Sequence, residues 1–175
     1  DGDIHWRSIS KENVLTIYGK DQGSRISDPT DTKKIFSWLI SETRDDKGNA
    51  VSYDYKAEDG TGIDLSQSHQ RNRGSLDDTR RSTNRTIKRI RYGNLKPILD
   101  ASGKRPRFLD RTGIDSADWM FELVFDYGEH DVAAPRPDED LGWPQRPDAF
   151  SNYRAGFEVR SARRVSRGLM FHHFE

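Results

Sequence analysis

The sequence predicts a mainly β protein, built of successive antiparallel β-hairpins that form part of a larger curved or spiralling sheet with long polar loops. Three observations predict it. Apolar residues recur with a period of two rather than three and a half. "TIYGK", "IRYGN" and "FDYGEH" each end a β-type run in Tyr-Gly, a half-buried aromatic followed by a residue that lets the chain turn away. The stretches between the runs are rich in Pro, Gly, Asp and Ser, and none has the length or pattern of a covering helix.

Taken in order, "DIHWRSIS" and "NVLTIYGK" are two short strands joined at Lys11-Glu12-Asn13. "IFSWLISETR" is the third, with Phe36, Trp38 and Ile40 on one face. "AVSYDYKAE" is the fourth, with Val51, Tyr53 and Tyr55 on one face. "DDKGN" between them is a hairpin turn, because Asp and Asn tolerate turn conformations and Gly48 supplies a positive φ. Residues 61–85 are a polar, basic loop with a short helical turn near Ser66 to Arg71. "TIKRIRYGN" is a strand, residues 95–118 a second loop, and "WMFELVFDYGEH" the strongest strand. Residues 131–152 form a Pro-rich connection that cannot be helical. "AGFEVRSARRVSRGLMFHHF" closes the chain as one bent strand or two.

Of the 175 residues 32% are hydrophobic and 33% charged, so the chain either carries long solvated loops or rests its apolar strips on something else. The formal net charge is zero, which selects neither nucleic acid nor an anionic membrane. With no cysteine, disulfides and thiolate zinc sites are excluded. No apolar run reaches the length of a membrane span, so no direct membrane insertion is expected. The abrupt "DGDIHW" and "FHHFE" ends suggest that residues 1–175 are a single fragment of a longer domain.

Candidate sites weigh towards structure. Asp45, Asp46 and Asp54 are possible oxygen ligands for calcium, but Lys47 stands where a ligand belongs, and the hairpin reading is favoured. His172 and His173 are neighbours in a strand and point to opposite faces. His130 follows a strand end beside Glu129 and Asp131, but no nucleophile motif accompanies it. Arg71, Arg73, Arg80, Arg81, Arg85, Lys88, Arg89 and Arg91 crowd one segment; Arg154, Arg160, Arg163, Arg164 and Arg167 crowd another. Without interleaved exposed aromatics, the expectation is solvated loops, or arginines that pair with the many aspartates, rather than nucleic-acid binding. Trp119, Trp143 and Tyr153 are candidate stacking platforms for a glycan or receptor-binding module. No catalytic, cofactor-binding or metal residue is nominated, and no cofactor is expected.

Six blocks in one order carry a resemblance: "WRSISKENVLTIYGKDQGSRISDP", "IFSWLISETRDDKGNAVSYDYKAEDG", "IKRIRYGN", "WMFELVFDYGEHD", "DAFSNYRAGFEVRS" and "LMFHHF". Together they resemble the SpvB-type domain of the Salmonella virulence plasmid protein and of the B subunit of insecticidal Tc toxin complexes. The likeness runs from about His5 to Phe174 and is weakest in residues 61–85 and 95–118. It departs at "FEVRSARRVSRGLMFHHF", where the family's tail carries a Tyr-Arg-Leu-Cys-like stretch. The resemblance implies a secreted, non-enzymatic part of a toxin, made in the bacterial cytoplasm. Its role would be as a wall of a β-sheet shell that encloses a cytotoxic effector. The implied partners are an Rhs-repeat C subunit, a pore-forming A subunit and the rest of its own chain. The alternative is the non-catalytic front of an SpvB-like ADP-ribosylating toxin. Such transferases need a Glu-x-Glu or Gln-x-Glu pair, which this sequence lacks. A polar inner face that holds unfolded cargo only weakly is the mechanism expected of such a shell.

Overall fold

The computed structural model describes residues 4–174. Its strands are β1 (Trp6–Ile9), β2 (Leu15–Tyr18), β3 (Arg25–Asp28), β4 (Asp31–Trp38), β5 (Ile40–Arg44), β6 (Ala50–Ala57), β7 (Arg85–Asn94), β8 (Trp119–Asp126), β9 (Phe150–Asn152), β10 (Val159–Ser161) and β11 (Arg167–His172). One short helix, α1 (Arg111–Asp115), precedes β8. Seven strands form an open antiparallel sheet in the order β1-β2-β5-β6-β7-β8-β11. The path is a meander with two detours: the ribbon β3–β4 leaves between β2 and β5, and the ribbon β9–β10 leaves between β8 and β11.

The first detour corrects the sequence reading of "IFSWLISETR". That run is two strands in two different sheets, broken at Leu39. Trp38 pairs with Arg25 in the ribbon, while Ile40 pairs with Tyr18 in the main sheet. Leu39 is held at the crossing by Gly19 N–H donating to its carbonyl at 2.7 Å and by its own N–H donating to Ser24 O at 2.8 Å. Gly19 is required there. Its φ is +62°, and a Cβ would lie 2.4 Å from Trp38 Cδ1. β3 itself escapes the sequence reading because "RISD" has a single large apolar residue and pairs only through the detour.

"DDKGN" is the expected hairpin turn. Asp45 Oδ1 accepts from Lys47 N and Asn49 N at 2.9 and 2.8 Å, and Asp45 N–H donates to Asn49 O at 3.0 Å. The turn is also a tertiary anchor, since Gly48 O accepts from Asn94 Nδ2 and Ile98 N, both at 2.9 Å. Gly48 has φ +91°, and an added Cβ would meet Pro97 Cβ at 2.8 Å and Ile98 N at 2.9 Å. Gly48→Ala is therefore expected to cost about 2 kcal/mol from backbone strain and overpacking together. In thermal unfolding this reads as a fall of about 4–8 °C in Tm.

The register sorts the two faces by charge. One cross-strand row runs Ser8, Thr16, Thr43, Val51, Tyr92, Phe121, His172. The row beside it, on the opposite face, runs Arg7, Ile17, Glu42, Ser52, Arg91, Glu122, Phe171. Loops clothe the charged face and satisfy it: Arg44 donates to Pro106 O at 3.0 Å, Arg89 to Pro137 O at 2.9 Å and Arg91 to Asp115 at 2.7 Å. Glu42, Ser52 and Glu122 are buried beneath them. A small apolar core of Ala50, Ile114, Ala117 and Trp119, with Ile98 and Leu109 against it, seats α1 and the loop of residues 95–118 on the sheet.

Candidate functional site: a buried ion-pair seam

The most concentrated set of chemically capable side chains lies past the end of β8. It starts from a bulge. β6 and β7 pair Asp54 with Arg89 and then Tyr55 with Ile87, so Lys88 is an extra residue in β7. Beyond β8, Gly128 at φ +114° turns the chain under the ring of Pro144 and presents Glu129 and His130. Lys88 Nζ donates to Glu129 Oε1, to His130 Nε2 at 2.8 Å and to Phe125 O at 3.2 Å. An ammonium has only protons to offer, so His130 Nε2 accepts. His130 is then neutral, and its Nδ1–H donates to Arg136 O at 2.9 Å.

Asp126, Glu129 and His130 place their ligand-type atoms within 4.8 Å of one another, all of them buried. Each of the four carboxylate oxygens already accepts a hydrogen bond. Asp126 Oδ1 accepts from Gly128 N at 2.7 Å and Oδ2 from Arg167 Nε at 2.6 Å. Glu129 Oε2 accepts from Tyr127 N at 2.7 Å. Lys88 and Arg167 supply the positive charge a metal would bring, and in this arrangement the cluster is an internal lock. It pins the chain after β8 to β7 on one side and β11 on the other.

A second lock closes on Trp143. Arg163 donates through Nε to Glu58 Oε2 at 2.8 Å, through Nη2 to Glu58 Oε1, and through Nη1 to Trp143 O at 2.6 Å. Its guanidinium lies 4.2 Å from the Trp143 ring centre and Lys56 Nζ 4.3 Å from it. Trp143 Nε1 donates to Asp59 Oδ1 at 2.7 Å. A third joins the loop of residues 61–85 to the second ribbon: Arg73 binds Glu158 at 3.0 Å and Thr83 Oγ1 donates to Glu158 O at 2.6 Å, while Arg81 ties the loop to itself through Gln70 at 2.8 Å.

The sequence candidates fall into this scheme as follows. Asp45 caps its own turn, and Asp54 pairs with Arg91 at 3.2 Å and Arg111 at 2.7 Å, so the acidic loop does not converge on one point. His173 Nε2 lies 3.0 Å from Glu122, while His172 stands edge-on to Phe121. Arg73, Arg80, Arg89, Arg91, Arg163 and Arg167 all pair with acids, as expected. The stacking-platform reading needs correction. Trp119 and Trp143 are 8% and 1% exposed, each plugging a loop onto the sheet, and only Tyr153 is open at 66%. Glu58 was missed altogether. It lies 105 residues from Arg163, and nothing local marks such a pair.

The electrostatics suit anchoring. Burial pushes the Tyr55 hydroxyl up to about 12, and burial with the Glu129 charge raises Tyr127 as well, so both stay protonated donors to backbone carbonyls. For Asp126, burial is the largest effect and favours the neutral acid, but the hydrogen bonds from Arg167 and the Gly128 N–H and the Arg167 charge together outweigh it and hold the carboxyl below its ordinary 3.8. Glu158 is likewise depressed below 4.5 by Arg73 and Ser151 against the opposing effect of burial. Carboxyls depressed on folding stabilise above their unfolded values and lose that contribution as pH falls through the folded ones. Urea midpoints should hold level well above pH 4.5 and fall progressively below it, and Arg167→Met should flatten part of that fall.

A family model described as Salmonella virulence plasmid 65kDa B protein matches residues 1–174. The mono(ADP-ribosyl)transferase SpvB of Salmonella typhimurium is 33% identical over 177 residues, 99% of this chain and 28% of the relative. The chain thus spans little more than a quarter of that relative's length. The solved N-terminal domain of effector protein SpvB from Salmonella typhimurium strain LT2 superimposes with a TM-score of 0.82 at 32% identity, over 99% of this chain and 51% of that one. The Tc holotoxin pore of Photorhabdus luminescens, in its TccC3-D651A form, matches with a TM-score of 0.74 at 31% identity, over 97% of this chain and 7% of that one.

Proposed function

The chain belongs to the family of the Salmonella virulence plasmid 65kDa B protein, and from that premise we propose that residues 1–175 are one structural unit of a secreted bacterial toxin, a β-wall rather than a catalytic part. One observation carries the reading. The same sheet fits both the N-terminal domain of a transferase effector and a chain of a Tc holotoxin. A unit common to two such different assemblies supports a role that both need, which is scaffolding.

In this reading the wall belongs to a shell around a cytotoxic effector, and it meets an Rhs-repeat C-type subunit and a pore-forming A-type subunit. The loop-clad charged face is the one suited to a water-filled interior. Its charges are neutralised in place by partners such as Arg91–Asp54 at 3.2 Å and Arg89–Glu122 at 2.6 Å, which leaves little free charge to capture cargo. The match to the SpvB transferase supports the second reading, the non-catalytic front of an ADP-ribosylating toxin.

Two experiments test these. The polypeptide encoded around residues 1–175 is read first: Rhs-type repeats support the shell, and a domain with a Glu-x-Glu strand supports the transferase front. NAD turnover is then measured on residues 1–175 alone. No turnover is expected, and turnover that is lost with the native fold would sink both readings.

A further inference from the structure

The uncharged face of the main sheet is built for contact with protein. It carries Val51, Tyr53, Ile90, Tyr92, Leu123 and Met170, and each remains partly accessible, Met170 at 49%. Its rings form a ridge across three strands: Tyr92 stacks on Phe121 at 5.1 Å, and Phe121 meets His172 edge-on at 5.2 Å. In a chain that is 33% charged, a sheet face turned to water would carry Lys and Glu at alternate positions. Here the pattern is inverted, with the charges under the loops and the apolar side chains open.

We infer that this face is covered, in the intact protein, by a second layer of the same polypeptide that packs uncharged aliphatic and aromatic side chains onto the Tyr92–Phe121 ridge. Two facts point to that occupant. The solved SpvB N-terminal domain contains about as much chain again as the part this chain matches, so a relative of this fold carries further polypeptide of comparable size. An uncharged face also pairs without penalty only with another uncharged face, since each unpaired charge buried there is costly. Stacked sheets about 10 Å apart interdigitate side chains of this size. The inference does not rest on the toxin-wall reading and stands or falls separately from it.

The two methionines make the test direct. Met170 lies on the uncharged face, and Met120 occupies a β8 position of opposite parity to Phe121. The intact polypeptide, as its source cells make it, is treated with hydrogen peroxide natively and in denaturant, and sulfoxide at each methionine is followed by mass spectrometry. Native Met170 is expected to oxidise about tenfold slower than in denaturant. A native rate within about twofold of the denatured one overturns the inference. Protection that vanishes on dilution, or when a second protein is stripped away, overturns it too by naming a different occupant. Met170→Lys is the second arm. At a water-facing site it is harmless, so a lowered urea midpoint of the intact polypeptide supports the buried layer, and an unchanged midpoint counts against it.

Discussion

Arg163→Met is expected to destabilise the protein by about 3–5 kcal/mol, the cost of leaving one member of a buried ion pair without its partner. The Arg163 side chain is 1% exposed and Glu58 5%, so water cannot replace the lost contacts. Arg163 also holds the Trp143 carbonyl and ring. Urea unfolding should show the midpoint fall, and adding Glu58→Gln should restore a good part of it, because the orphaned charge is then gone. A single variant that unfolds within about 1 kcal/mol of the parent would mean the pair is hydrated in solution.

Lys88→Met should have an effect of similar size, about 3–5 kcal/mol, because Glu129 is fully buried and His130 nearly so. Here the damage has a location. Arg167 Nη2 donates to Asp131 O at 2.7 Å and to His130 O at 3.3 Å, so the Lys88 lock and the β11 anchor share one loop. Hydrogen exchange in the variant should quicken in residues 127–141 and in β11 before β2 and β5. Zinc or manganese should not raise the Tm of the parent protein, since Lys88 already fills the cation position. A metal-dependent rise would show that the ammonium can be displaced.

The strands legible in the sequence were those whose neighbours in space are also neighbours in the chain. β1–β2 and β5–β6 declare themselves by alternation and by the Lys11-Glu12-Asn13 and Asp45–Asn49 turns. β7 and β8 were visible because Ile90 and Tyr92, and Phe121, Leu123 and Phe125, keep the period of two. β3 and β9 were not visible. "RISD" and "FSN" are short and polar, and only the ribbon partner makes them strands. The split at Leu39 has the same origin: Phe36, Trp38 and Ile40 look continuous, yet Gly19 and Ser24 draw the chain from one sheet to another.

The sequence by itself determined the β class, the polar loops and the absence of disulfides, because backbone periodicity and composition are local properties. Its 29 basic and 29 acidic residues also made ion pairing available, which Arg73, Arg89, Arg91, Arg163 and Arg167 take up, while Arg81, Arg85 and Arg160 bond amide, carbonyl and hydroxyl oxygens instead. Tertiary structure alone decided which acid each arginine meets, and that the charged face, not the apolar one, lies under the loops. Glu58–Arg163 and Lys88–Glu129 join residues 105 and 41 positions apart. Such pairs are chosen by where loops land on a sheet, and the free energy that fixes them is the penalty for burying a charge unpaired, which no short stretch of sequence displays.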